Sequence, residues 1–461
     1  MAKFGKFLTV FAFLVTSLFG IVAVAQPPQG EAVSETKDRE NTEANSDDRQ
    51  SVNPEAASKT ENNPTLESTH IQTGKFTPQI DGQNAELSFF RVHEGQLIAG
   101  VSPISSDEVQ DENAGTVRGY IQFYNLDLDL VKQFQLPFAP TALDIDQSGN
   151  LFVGGVGKAV KLSRQGEIIA GCQSPNMMGV DLEQLKRDRR QVLLAQRKEL
   201  QDIWQGYVDG MKEQISEIKE GIDAGKALSE DDSRKLKTLE SRRDSFLNAI
   251  EEANVITDAE VQTSIEQATR ITAMTITPRD LFLVTNARAG SSYEVYRFDH
   301  NFEQPQRVLQ GLRGCCRQLD IHAVGDNFAV AENTKFNIAV YDRDGEELNR
   351  FGEHVRVQKQ GFSSCCNPMN VLCCENGDYL TAESGVGKIK RFNARGEIIG
   401  YVGEAKIGPG CKSVALGFDP KLDRYFVQHQ DSNEICILNR RASLDRATGE
   451  KPENKEAGQN E

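Results

Sequence analysis

The chain repeats itself. Residues 331–352, "AENTKFNIAVYDRDGEELNRFG", align with residues 382–403, "AESGVGKIKRFNARGEIIGYVG", without a gap. "GVGKAVKLSRQGEII" (155–169) matches "GVGKIKRFNARGEII" (385–399) in the same way, and "PTALDIDQSGNLFVG" (140–154) matches "PMNVLCCENGDYLTA" (368–382). The unit is a proline-led apolar stretch, a D-x-x-G-N turn, a second apolar stretch, a polar loop, a third stretch, a D-x-x-G-E turn and a last stretch ending in Gly. Each stretch is short, rich in β-branched or aromatic residues and bounded by Gly, Asn or Asp, which is how strands and turns read. Four strands in about 45 residues is the period of a propeller blade.

Six units follow one another, over residues 86–135, 140–172, 270–312, 314–353, 362–404 and 409–440. The sixth has no obvious fourth strand. "TGKFTPQI" (73–80) lies just ahead of the first unit and is expected to supply it, closing the ring and removing free sheet edges. The expected fold is therefore all-β, a six-bladed β-propeller, with one foreign segment between blades 2 and 3.

That segment, residues 174–269, has a different period. Trp204, Val208, Met211, Ile215, Ile218 and Ile222 step by four and three residues alternately, which is a heptad seam on a long helix. A second helix carries Leu236, Leu239, Phe246 and Ile250 on one face, and Ser229 and Asp232 are spaced as a capping box at its start. The two are expected to form an antiparallel hairpin, an arm over the face that carries the blade-to-blade links. Partner docking or self-association is its expected use. "KRDRRQ" (186–191) is flanked by acidic residues and reads as a solvated helix face.

In "ALDIDQSGNLFVGGVGKAVKLSRQGE" and "NVLCCENGDYLTAESGVGKIKRFNARGE" the chain resembles the NHL-repeat family. The resemblance spans roughly 85–172 and 270–440, and departs from the family's pattern where Glu332, Glu383 and Gly154 stand in place of its usual Asp. It implies a propeller that binds a protein, peptide or glycan on its channel face. Such a pattern specifies fold far better than function.

The ends set the expected compartment. "MAKFGKFLTVFAFLVTSLFGIVAVAQ" pairs early lysines with an apolar run and an A-x-A site, so residues 1–25 read as a secretory signal. Residues 26–68 are acidic and polar and cannot bury enough surface to offset ordering entropy; they read as a tether, and 442–461 as a tail. The propeller then occupies 69–173 and 270–441. The mature protein is expected to be exported (secreted, periplasmic or cell-surface), with no membrane span after signal cleavage. The net charge of −16 argues against nucleic acid as a partner.

The nine cysteines are placed by the repeat. Cys172, Cys315, Cys316, Cys365, Cys366 and Cys411 fall in links entering a blade's first strand, hence on one face. Cys373 and Cys374 fall at the other end of a first strand, and Cys436 falls within a third strand as a small buried hydrophobe. Three chemistries fit: disulfide staples in an oxidising compartment, a thiolate metal site, or thiol exchange through a strained vicinal disulfide. Against metal stand the lack of C-x-x-C spacing and the divergence of adjacent side chains. Glu332, Glu383 and His429 align as the residues opening the loop between second and third strands, with Asp431 close by. A ring of this kind suits a divalent cation, Ca or Zn, in a lyase or lactone hydrolase; the alternative is that each group bonds its own turn. No G-x-S-x-G, H-E-x-x-H, P-loop or dinucleotide fingerprint occurs. The reading that results puts a binding scaffold first, a metal-dependent lyase or lactone hydrolase second, and a thiol-redox or metal-sequestering protein third.

Overall fold

The computed structural model describes residues 67–441 except 105–117, 226, 254, 289–291, 317, 356–360, 364–365 and 386. The signal segment, the tail and all but the last two residues of the tether lie outside the described residues, as does Cys365.

Among the described residues the structure is mostly β, in six antiparallel sheets. β1 (His70–Phe76) stands apart from the strands that follow it. The first sheet holds β2 (Gln79–Ile80), β3 (Gln83–His93), β4 (Gln96–Pro103), β5 (Gly119–Tyr124) and β6 (Leu130–Leu136). The second holds β7 (Ala142–Ile145), β8 (Leu151–Gly154), β9 (Lys158–Leu162) and β10 (Ile168–Gln173). The third holds β11 (Ile271–Ile276), β12 (Leu281–Asn286), β13 (Tyr293–Phe298) and β14 (Gln306–Leu312). The fourth holds β15 (Asp320–Val324), β16 (Asn327–Glu332), β17 (Asn337–Tyr341) and β18 (Glu347–Phe351). The fifth holds β19 (Asn370–Cys373), β20 (Tyr379–Ala382), β21 (Lys388–Phe392) and β22 (Ile398–Glu404). The sixth holds β23 (Leu416–Asp419), β24 (Arg424–His429) and β25 (Glu434–Arg440), and its fourth place is taken by β1, antiparallel to β25 with His70 opposite Arg440 and Phe76 opposite Ile435.

Turn chemistry explains why the D-x-x-G-E element recurs. Asp342 Oδ1 accepts the N–H groups of Asp344 (2.9 Å) and Glu346 (2.8 Å). Gly345 takes the left-handed position at φ 93°, where a Cβ would meet the Val308 carbonyl oxygen at 2.3 Å.

Packing links the sheets in order. Apolar clusters join sheets 1 and 2 (Ile121 with Leu143), 2 and 3 (Phe152 with Leu283), 3 and 4 (Phe282 with Phe328), 4 and 5 (Ile338 with Phe392), 5 and 6 (Leu380 with Leu416), and 6 and 1 (Phe426 with Phe90). Each sheet is thus covered on both faces, so strands such as "LFLVT" and "NFAVA" are continuously apolar and do not alternate. The first full strands β3, β7, β11, β15, β19 and β23 touch in that order, and β23 touches β3.

Three helices lie between β10 and β11: α1 (Leu182–Asp223), α2 (Glu230–Glu252) and α3 (Asp258–Thr269). Val208, Met211 and Ile215 of α1 are buried, while Trp204 and Tyr207 pack on Phe246 of α2 at ring separations of 6.5 and 5.8 Å. α3 adds to the two helices expected. It opens on a capping box in which Glu260 N–H donates to Thr257 Oγ1 (3.2 Å) and Thr257 N–H to Glu260 Oε2 (2.8 Å). The helices dock on the β12–β13 connection: Asn286 Nδ2 donates to the Gln267 carbonyl (2.6 Å) and Arg189 Nη1 to the Arg288 carbonyl (2.9 Å). No described helix is long and apolar enough to cross a membrane.

Candidate functional site

Two constellations stand out, one among the innermost strands and one in the links that enter sheets 4 to 6.

The first is a cavity of about 400 Å³ lined from every sheet. Its polar lining includes Glu86 and Arg91 from β3, Thr272 from β11, Asp320 from β15, Asn370 from β19 and Gln428 from β24, with Arg270 at the mouth of β11. Several of these groups also hold neighbouring sheets together. Asp320 Oδ2 accepts from Asn370 Nδ2 (2.6 Å) and from the Val371 N–H (3.0 Å), tying β15 to β19. Asp144 Oδ2 accepts from Thr275 Oγ1 (3.0 Å) and the Ile276 N–H (2.9 Å), tying β7 to β11. Gln428 Nε2 donates to the Leu87 carbonyl (2.8 Å). Burial pushes the Asp320 carboxyl up to about 6, against the opposing pull of Arg91 and two backbone N–H groups. Two buried atoms in the lining have no partner within the protein, Arg91 Nε and Asn370 Oδ1. Neither exposes surface to the cavity, and a buried polar atom without a partner costs about 1–3 kcal/mol.

None of these lining residues stood out as a site candidate in the sequence. A signal was present, since the tripeptide L-D-I occurs at 143–145 and again at 319–321, each time with its Asp bonded to the next sheet's first strand.

The residues aligned as a cation ring do not line the cavity. Glu332 ends β16, fully buried, and is paired with Lys335 (2.9 Å) and with Arg350 on β18 of its own sheet. Glu383 follows β20 and is 1% exposed; Lys390 of β21, also 1% exposed, places its Nζ 2.5 Å from Oε1, off the direction of a hydrogen bond. Burial pushes Glu383 up and Lys390 down, and each opposes the other's shift. Asp431 is ion-paired with the buried Lys412. His429 ends β24 with Nδ1 buried and without a hydrogen-bond partner. The three positions share a register, as aligned, but Glu332 and Glu383 are each paired with a cation of their own sheet.

The thiols divide differently from their expected placement. Cys172 lies within β10, opposite Ala159, and not in a link; burial raises its thiol to about 12. Cys373 closes β19 and Cys374 begins the following turn, donating its N–H to the Asp378 carbonyl (2.8 Å); burial raises both thiols to about 11. Cys315, Cys316 and Cys366 converge, with their Sγ atoms all within 4.8 Å of one another. Cys315 Sγ lies 2.6 Å from Cys366 Sγ and 3.7 Å from Cys316 Sγ. Adjacent side chains normally diverge. Here Cys316 adopts φ 55°, the left-handed region, which turns its Sγ back beside that of Cys315. Cys366 has the same conformation, at φ 66°. The exposed Cys411 also interacts with the Cys366 thiol but lies outside the group of three. The loop is held in place: Cys315 N–H donates to the buried Asn333 Oδ1 (2.8 Å), and the Gln318 N–H to the Cys315 carbonyl (3.1 Å). Donation from Cys316 and Cys366 holds the Cys315 thiol down at about 3, and that sharing pushes its two neighbours up.

No family model matches the chain, and no curated protein matches it in sequence. Among solved structures it is similar to virginiamycin B lyase from Staphylococcus aureus, at 10% identity over 79% of this chain and 99% of that one, TM-score 0.38. It is similar to regucalcin, a calcium-binding protein from Agrobacterium tumefaciens, at 10% identity over 81% and 96%, TM-score 0.41. It is also similar to the β-propeller domain of Cps50 (Swd1) from Myceliophteria thermophila, at 8% identity over 80% and 99%, TM-score 0.38.

Proposed function

We propose that the chain is an exported, six-bladed, NHL-like β-propeller with a helical arm between blades 2 and 3, and that it binds a polar segment of a protein, peptide or glycan in its central cavity. The ring reading rests on six sheets whose first full strands meet in a closed cycle, with β1 completing the last sheet. Export rests on the signal-like residues 1–25.

One observation carries the binding reading. The cavity is lined from all six sheets with both donors and acceptors, Arg91, Arg270 and Gln428 beside Glu86 and Asp320. A site built this way suits a ligand with both kinds of group, such as a peptide amide or a sugar hydroxyl. The metal-dependent lyase or hydrolase reading is less well supported, because Glu332, Glu383 and Asp431 already have cationic partners. The arm, with Ile203 and Tyr207 more than half exposed, offers a surface for self-association.

The test is a glycan array and a random-heptapeptide display library probed with the mature chain and with Arg91→Met. Binders of the mature chain that are lost in R91M, with circular dichroism unchanged, support the cavity as the site. Binders retained by R91M, or no binder in either library, overturn it.

A further inference from the structure

The thiol cluster is not explained by ligand binding in the cavity. We propose that Cys315, Cys316, Cys366 and Cys411 form a tetrathiolate site for one soft closed-shell cation, zinc(II), that joins the links entering sheets 4, 5 and 6.

The first argument is the number of donors. A staple uses two sulfurs, yet three Sγ atoms lie within 4.8 Å of one another, and Cys411 interacts with one of them, Cys366. The second is spacing. Tetrahedral zinc with sulfur at about 2.3 Å has sulfur–sulfur edges of about 3.8 Å. The Cys315–Cys316 separation is 3.7 Å. Cys315 and Cys366, at 2.6 Å, must part by about 1 Å to make an equal edge.

The third argument is conformation. A non-glycine residue at φ > 0 is uncommon. Cys316 and Cys366 both adopt it. In Cys316 this makes neighbours in sequence into neighbours in space, so the missing C-x-x-C spacing is no obstacle. The fourth is support from behind: Asn333 is fully buried and holds the Cys315 backbone, while Gln318 Nε2 donates to the Val414 carbonyl (2.9 Å) and Gln318 Oε1 accepts the Val414 N–H (3.0 Å). The links into sheets 4 and 6 are thus already positioned against each other, as a metal site requires. On binding, each thiol that enters the site gives its proton to solvent and no electron is transferred.

The experiment uses the full chain, isolated anaerobically without reductant, with metal content by mass spectrometry and Co²⁺ titration of the chelator-treated protein. One equivalent of zinc, and cobalt spectra with thiolate charge-transfer and tetrahedral d–d bands, are expected. Cys316→Ser should weaken Co²⁺ binding by at least about tenfold, while Cys373→Ser leaves it unchanged. Should C316S fail to fold, the exposed Cys411→Ser is read in its place and should lose the same affinity. A freshly isolated chain without zinc, carrying a Cys315–Cys366 linked peptide, overturns the proposal in favour of a staple. Equal effects of C373S and C411S on Co²⁺ binding overturn it as well.

Discussion

Removing the Glu383 carboxylate should expose how this protein treats buried charge. Glu383 and Lys390 are each 1% exposed. In Glu383→Ala the buried Lys390 ammonium keeps the Gly361 carbonyl as acceptor, with Lys388, 4% exposed, as a like-charged neighbour. Stranding one member of a buried pair costs about 3–5 kcal/mol. Unfolding entropy of about 2.1 cal/mol/K per residue over about 350 residues converts this to a fall in Tm of about 4–7 °C. Replacing both partners, Glu383→Leu with Lys390→Met, should recover most of the loss, because an apolar pair of similar volume needs no charge compensation. Differential scanning calorimetry at pH 7 measures all three proteins. A loss below about 1 °C in the single variant, or a double variant no more stable than the single, refutes the reasoning. Calcium or zinc added to the unmodified chain gives a second check. A rise in its Tm that vanishes in E383A would mean that the carboxylate serves an ion and not Lys390.

Three further perturbations follow from the same geometry. Asp320 titrates at about 6 in the fold against an ordinary 3.8, so the folded state holds its proton longer than the unfolded state does. Stability attributable to it therefore falls as pH rises from about 4 to 6, by about 3 kcal/mol, and Asp320→Asn should flatten that segment of the denaturation curve; an unchanged pH profile speaks against it. Val208→Asp places a charge at the fully buried centre of the α1–α2 seam, and since Trp204 is the only tryptophan, its emission should shift red while the β-sheet signal stays; loss of both together would mean the arm is not separable. A chain starting at Thr77 lacks β1 and leaves β25 as an unpaired edge, so sedimentation should show aggregation, and a stable monomer would show that β1 closes nothing.

The parts of this architecture that were legible in sequence are those imposed locally. The turns of Asp342 and Gly345 demand particular residues at particular offsets, so they recur and can be aligned. The α1 seam is legible because Val208, Met211 and Ile215 must all face α2. α3 escaped because its buried set, Val261, Ile265 and Ala268, is too short to establish a period. The shared strand position of Glu332, Glu383 and His429 was also readable, but not what each one meets. Arg350 reaches Glu332 from β18 and Lys390 reaches Glu383 from β21, and pairing across strands leaves no mark in a linear alignment. Cys316 escaped for a different reason: the expected divergence of adjacent side chains assumes ordinary backbone, and a φ of 55° removes that assumption.

Where the thiols sit follows from what the links must do. The connection into sheet 2 spans only 137–141, and the one into sheet 3 is the helical insertion, with hydrogen bonds of its own. Those into sheets 4, 5 and 6 span 313–319, 352–369 and 405–415, and among their described residues no helix or named strand occurs. Irregular backbone loses about 1–2 kcal/mol of conformational entropy per residue on ordering, with no ladder of hydrogen bonds in return. A cross-link is most valuable where such segments meet, and Cys315, Cys316, Cys366 and Cys411 belong to these three links alone. If the cross-link orders them, Cys366→Ser should raise amide exchange in all three links and leave that of β3 and β7 as it was. Faster exchange confined to the link that carries the mutation would show that the links are ordered independently.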